Sequence, residues 1–322
     1  MNNKTQDIKI DVINRQCAPT ITFKDGSCFK LSMLIDIANA YNGGVPNKNS
    51  EIKLWTDNAE ILKPEAYKRY LVEEITQRLG KKQYEWYKHK SLASLNNKKI
   101  EEMEDFTFLP EGPQGKNEWL NNFQIKKYLK LLEIEYPSSI CVDVLAMDFD
   151  KIKTPGVLKE DFRKYYNDGK YQILIVLNLD NHDESGSHWV ALYANIKANI
   201  VMYYDSFGTL PEVRVRRLMR RIAELCSEIN KIDILQVATR YNKHRHQYKN
   251  SECGVYSIVF LHNLLKKEGA NYHEYCNKTI PDEVVEKCRA IIFRDGGFSQ
   301  KIFNKKITYD DFEANTKNAD IC

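Results

Sequence analysis

No apolar run in the sequence approaches the roughly 18 residues that a membrane span requires, so no transmembrane helix is expected. The opening stretch MNNKTQDIKI is polar and lacks an apolar core, so it is not expected to act as a secretory signal. Neither sign of charge dominates: 48 Lys and Arg against 44 Asp and Glu leave a net charge of +4. That slight excess permits an anionic partner without arguing for one. The eight cysteines (17, 28, 141, 226, 253, 276, 288 and 322) include no CxxC pair and no Cys/His spacing suited to a metal. They are therefore expected to be reduced thiols of a cytosolic-type compartment, with no metal ligands among them.

What is present is the composition of an ordinary soluble globular protein: 43% hydrophobic, 29% charged, with a mean hydropathy of −0.55. The 322 residues suffice for one large domain or two modest ones, and there is no internal repeat. Residues 1–116 read as a mainly helical region. LSMLIDIANAYN (31–42) has helical periodicity and stops at Gly43-Gly44, while PEAYKRYLVEEITQRLG (64–80) opens on a first-turn proline and closes on glycine. The cluster EGPQGKNE (111–118) marks the expected boundary.

Beyond it, WLNNFQIKKYLKLLEIEYP (119–137) predicts an amphipathic helix with Leu120, Phe123, Tyr128, Leu131 and Leu132 on one side. YQILIVLNL (171–179) predicts a strand buried on both faces, and HWVALYANI (188–196) and NIVMYYDSF (199–207) follow at hairpin distances. PEVRVRRLMRRIAELCSEIN (211–230) predicts a helix with Val215, Leu218, Ile222, Leu225 and Ile229 inward, IDILQVAT (232–239) a strand, and PDEVVEKCRAIIF (281–293) a last helix. The expected fold is α+β, a central mixed sheet flanked by helices. A second unit is expected over 117–295, and 296–322 read as a polar tail.

HQYKNSECGVYSIVFLHNLL (246–265) passes from polar to apolar at Cys253. A buried helix starting there would aim its N-terminal N–H groups at the thiol and favour its ionised form. A thiol hydrolase also needs a base, a group to orient that base, and donors for the oxyanion. His188 opens one strand and Asp205 ends the next, so an antiparallel pairing brings base and orienting carboxylate together. The Gln247 amide is the candidate oxyanion donor beside the Cys253 N–H, and Gly254 is expected to leave room for a substrate backbone. Each residue alone has a bland reading: a buried cysteine is mostly packing, and an Asp at a strand end mostly forms a turn. Their order and spacing together favour the catalytic one.

GSHWVALY, YYDS and QYKNSECGVYS resemble the His-Trp, Asp-Ser and Gln-x5-Cys-Gly signatures of the adenain and SUMO-protease superfamily of cysteine proteases. WLNNFQIKKYLKLL resembles the helix that opens the SUMO-protease catalytic domain. Within the superfamily, KDGSCFKLS (24–32) and the terminal Phe293-Arg294 pair are similar to the polyprotein-processing proteases of large cytoplasmic DNA viruses, of the African swine fever virus type. The resemblance implies a papain-like core with His188 as general base, Asp205 as orienting acid, Cys253 as nucleophile and Gln247 as oxyanion donor. Trp119, Trp189 and Gly254 would line the substrate groove. Some viral relatives carry Asn at the third position, where this chain has Asp as the SUMO proteases do.

The resemblance further implies cleavage of viral structural polyproteins after Gly-Gly-X sites, in the infected host cytoplasm and the virion, without metal or organic cofactor. An isopeptidase removing SUMO or another ubiquitin-like protein is the alternative, and an acyltransferase using the same triad a lesser one. His182 is a rival base, but it falls in a polar loop before the strand. His244-Arg245-His246 reads as a solvated loop, and the arginines of RVRRLMRR (214–221) as a solvated helix face rather than a nucleic-acid site.

Gly296-Gly297 reads either as a helix stop or as a cleavage site that would release 298–322. Intact mass of concentrated protein, beside a Cys253→Ala control, separates the two. Self-processing predicts loss of the C-terminal peptide from the unsubstituted chain alone, and an unchanged mass in both excludes it.

Overall fold

The computed structural model describes residues 17–56, 58–113, 118–152 and 154–294. The chain divides into two compact units, Met1–Pro110 and Glu111–Cys322. The tail beyond 294, with Gly296-Gly297, and residues 114–117 at the expected boundary lie outside the described residues.

The first unit is helical: α1 (Leu31–Gly44), α2 (Ala59–Leu62), α3 (Pro64–Leu79) and α4 (Asn97–Glu101) with 3₁₀ turns between. Pro64 starts α3 because a missing N–H costs nothing in a first turn. Gly80 stops it at φ 92°, a conformation that favours glycine. Phe29, Leu34, Ile37, Tyr67, Leu71, Ile75 and Trp86 fill its core. Cys17 and Cys28 are joined there in a disulfide, and Cys288 of the second unit is disulfide-bonded as well. This corrects the expectation of reduced thiols throughout. Spacing along the chain did not reveal the pairing, because Cys17 and Cys28 are 11 residues apart and match no short motif.

The second unit runs α5 (Asn122–Glu135), β1 (Ser139–Leu145), α6 (Lys159–Asn167), β2 (Gln172–Asn178), β3 (Trp189–Asn195), β4 (Ile200–Tyr204), α7 (Val213–Asn230), β5 (Ala238–Tyr241), α8 (Cys253–Lys266), α9 (Tyr272–Asn277) and α10 (Asp282–Ile292). The sheet order is β1-β2-β3-β4-β5, with β1–β2 and β4–β5 parallel and the two central pairings antiparallel. It is the expected mixed sheet in an α+β fold. β2, β3 and β4 are buried nearly throughout because helices cover both faces. Ile173, Ile175, Val190, Leu192, Val201 and Tyr203 meet Phe162 of α6 and the Val215, Leu218, Ile222 and Leu225 stripe of α7. On the opposite face α8 packs on β3, and Phe260 stacks on Tyr204 with ring centroids 4.6 Å apart.

Several details differ from the sequence reading. α5 begins at Asn122 rather than 119, because Asn121 and Gln124 form a capping box. Phe123 is 76% exposed, not inward; Ile125 and Leu129 take the buried places with Tyr128, Leu131 and Leu132. The strand placed at 232–239 lies at Ala238–Tyr241, because Asp233 and Gln236 cap a 3₁₀ turn first. β1, α6 and α9 have no counterpart in the sequence reading.

Leu192, fully buried in the central strand, reports on this core. Leu192→Ala should cost about 2–5 kcal/mol in urea unfolding. A cost near zero would show that the sheet is not the core of the unit.

Candidate active site

The β3–β4 register fixes the geometry. Asn195 pairs with Ile200 and Ala191 with Tyr204. Continued one and three places past the last strand pair, it sets Asp205 opposite Val190 and Phe207 opposite His188. His188 Nε2 lies 2.6 Å from Asp205 Oδ1, and the imidazole stacks on Phe207 with centroids 4.4 Å apart and 9° between planes. Arg245 lies over the same Phe207 ring at 5.2 Å. The Cys253 side chain acts on the same imidazole and favours its charged form. Because Nε2 faces the carboxylate, the ring's Nδ1 is the atom left for the thiol.

His188 is thus held between a carboxylate and a thiol at the first residue of α8. Burial by itself lowers the His188 pKa. Asp205, by hydrogen bond and charge, and Cys253 together outweigh it and hold the value up to about 9. Buried Cys141 and Cys226 are instead pushed up to about 12 by burial, as expected of inert packing thiols.

Asp205 is fully buried, so its charge must be satisfied locally. Oδ1 accepts from the Phe207 N–H at 2.8 Å as well as from His188, and Oδ2 accepts from the Thr209 N–H at 3.2 Å. Asn242, also fully buried, grips the Asp205 backbone from both sides. Its Oδ1 accepts from the Asp205 N–H at 2.8 Å, and its Nδ2 donates to the Asp205 carbonyl at 2.6 Å. Sequence reasoning missed Asn242 and Phe207: Asn242 lies 37 residues from Asp205, and no short pattern marks it.

Gln247 is buried against the same loop. The Ser206 carbonyl accepts the N–H groups of both His246 and Gln247, and the Ser206 hydroxyl donates to Gln247 Oε1 at 2.7 Å. Gln247 Nε2 donates to the Lys249 carbonyl at 2.5 Å. Asp282 of α10 holds that loop, its Oδ2 accepting from the Tyr248 and Lys249 N–H groups at 3.0 Å each. The amide is therefore oriented by Ser206 and Lys249, and one of its two N–H bonds is already committed.

Two expectations need correction. The space over Gly254 is not open to a substrate backbone: a Cβ there would meet the Leu120 side chain at 3.0–3.2 Å, so the glycine admits α5's approach segment. His246 is not in a solvated loop. It is fully buried, donating from Nε2 to the Tyr275 carbonyl and accepting the Ile280 N–H at Nδ1, and burial pushes its pKa down to about 4.

Trp189 donates from its indole N–H to the Leu120 carbonyl at 2.8 Å. With half-exposed Trp119 it lines a cleft of about 570 Å³, whose wall also includes Ala146, Asn178, His182 and Gly186. His182 is bonded there to Asp148 at 2.7 Å and is 55% exposed, away from the His188–Asp205 pair in hydrogen bonding. Of the α7 arginines, Arg214 pairs with Asp150, Arg220 with Glu224, and Arg221 donates to the Val157 carbonyl.

A thiol at a buried helix N-terminus, with an imidazole between it and a carboxylate, defines a thiol hydrolase core of papain type. Residues 157–295, within the second unit, match the model of the Ulp1 protease family, C-terminal catalytic domain. A protein of Acanthamoeba polyphaga mimivirus named as a thiol protease is 26% identical over 290 residues, covering 87% of this chain and 93% of that one. A SUMO-1 cysteine protease of African swine fever virus is 27% identical over 202 residues, covering 58% of this chain and 72% of that one. The crystal structure of the African swine fever virus protease shares the fold, with a TM-score of 0.58 at 21% identity over 87% of this chain and 95% of that one.

The charge relation predicts a pH dependence. His188 is protonated through neutrality because Asp205 helps hold its pKa up to about 9. Asp205→Asn removes that negative charge, so the alkaline limb of kcat/KM should move to lower pH. An alkaline limb at the same pH in the variant would exclude His188 as the titrating group.

Proposed function

We propose that the chain is a viral cysteine endopeptidase that cleaves structural polyproteins after Gly-Gly-X sites, in the cytoplasm of the infected host cell and in the virion. The observation that carries this reading is His188, bonded to Asp205 at 2.6 Å and held in its charged form in part by Cys253 at the start of α8. The viral origin of the two relatives supports the setting.

In this reading the Cys253 sulfur, its proton held by His188, attacks the scissile carbonyl. The tetrahedral oxyanion is received by the Cys253 backbone N–H and the remaining N–H of Gln247. His188, now imidazolium, gives its proton to the leaving amine, and Asp205 keeps the ring in register and stabilises its charge. Water, activated by the neutral imidazole, then hydrolyses the thioester and returns the proton. Trp119 and Trp189 wall the cleft that would seat the glycines ahead of the scissile bond.

A second reading, an isopeptidase for SUMO or another ubiquitin-like protein, is supported by the Ulp1 family match. Both substrates end in diglycine, and the cleft's two tryptophans suit either.

Cys253→Ala and His188→Ala should each abolish cleavage with the fold retained, and Gln247→Ala should slow it by about 10²-fold. The readout is a panel of Gly-Gly-X peptides beside SUMO and ubiquitin conjugates. Turnover of the peptides supports the polyprotein reading, and turnover of the conjugates alone replaces it with the isopeptidase. Full activity in Cys253→Ala removes the site assignment.

A further inference from the structure

Glu252, the residue before the nucleophile, is the N-cap of α8, yet its side chain caps nothing. A carboxylate at that place gains from the orphan N–H groups of the first turn and from the helix dipole. Here it turns away. Glu252 is buried, with Oε2 accepting from Arg289 Nε at 3.0 Å and Oε1 accepting from the Ser251 hydroxyl at 3.1 Å. Arg289, buried on α10, commits its other nitrogens to backbone: Nη1 donates to the Glu118 carbonyl at 3.0 Å and Nη2 to the Ser251 carbonyl at 3.1 Å. One planar guanidinium thus bonds the residues on either side of the Ser251–Glu252 peptide and the residue before Trp119, a geometry that a single ammonium does not reproduce.

Stability is a poor explanation for such a pair. The desolvation of two buried charges is seldom recovered in full, and well-packed apolar residues of similar size are often as stable. The pair's location explains more, because it sits where a free carboxylate would do most harm to the chemistry.

We propose that Arg289 is a positioning residue: it holds the Glu252 carboxylate off the first turn of α8, so that the N–H groups there stay open to the substrate oxyanion. The inference rests on Cys253 being the nucleophile. A released carboxylate would compete with the oxyanion for the same donors and set a second negative charge beside the thiolate. The first effect lowers kcat more than it raises KM, since the oxyanion develops only during attack, and the second disfavours the thiolate before substrate binds.

The test compares the unsubstituted protein with Arg289→Met and with the double variant that combines Glu252→Leu and Arg289→Met. It is read as kcat and KM on a Gly-Gly-X peptide and as the pH profile of Cys253 alkylation by iodoacetamide, mapped by mass. Arg289→Met should lower kcat by about 10²-fold, the size of losing one oxyanion donor, with KM changed far less, and should move the alkylation profile to higher pH. The double variant has no carboxylate to release. It should recover kcat to within about tenfold of the unsubstituted protein and restore the alkylation profile. Such recovery is not expected if Arg289 merely supports packing.

A double variant as impaired as the single, or a single variant with unchanged kcat, overturns the proposal. Where Arg289→Met does not fold, the double variant is compared with the unsubstituted protein directly: kcat within tenfold supports the proposal and a hundredfold loss overturns it. Alkylation needs no substrate, so a wrong substrate assignment leaves this arm readable. Cleavage that survives Cys253→Ala refutes the nucleophile and is distinguishable from both outcomes.

Discussion

The hydrogen bond between His188 Nε2 and Asp205 Oδ1 is the constraint around which the rest of the site is arranged. A buried imidazolium is costly in a low-dielectric interior, and a buried carboxylate equally so. Each is tolerable here because the other is 2.6 Å away and because backbone N–H groups of Phe207 and Thr209 take the remaining lone pairs of the carboxylate. The ring nitrogen left over is the one available to Cys253. Without Asp205 only Cys253 would oppose the effect of burial on His188, and the charged ring would be less favoured. The sheet places the pair by register: β3 and β4 must align as they do, or the two side chains part.

From that bond a chain of loop contacts leads to the oxyanion side. Asn242 clamps the backbone of Asp205, Ser206 holds both the backbone and the amide oxygen of Gln247, and Asp282 fastens the loop whose Lys249 carbonyl takes the Gln247 amide. The proposed base, orienting group and oxyanion donor therefore share one hydrogen-bonded framework. α10 contributes twice to it, through Asp282 to the Gln247 loop and through Arg289 to the residues flanking the nucleophile. The last helix of the domain is in this sense part of the active-site support, although it carries none of the four proposed catalytic groups.

Much of this was legible in the amino-acid sequence, for identifiable reasons. The continuous apolar runs at 172–178 and 253–265 are strong signals because burial on all sides leaves no polar face to confuse the period. His188 and Asp205 stand at strand ends, where antiparallel pairing brings distant positions together. What escaped was of two kinds. Short elements with mixed patterns, such as β1 and α6, have too few residues for a period to emerge. Support by long-range polar contacts, as from Asn242 and Arg289, leaves no local pattern, since the partners lie 37 residues or more away in sequence. Gly254 shows a third difficulty: the sequence demands a small residue there, but only the structure shows that Leu120 is what fills the space.

In the proposed mechanism one thiol of the described free cysteines, Cys253, is activated by one imidazole, while Cys141, Cys226 and Cys276 are packing or bystander groups. The measurement that tests it most directly is covalent capture with a peptide ending in Gly-Gly and carrying an electrophilic vinyl sulfone in place of the scissile amide, followed by mass mapping of the adduct. A single adduct per chain is expected, on Cys253, and it should fail to form in His188→Ala. An adduct on any other cysteine, or equal labelling of Cys253 without His188, would contradict it.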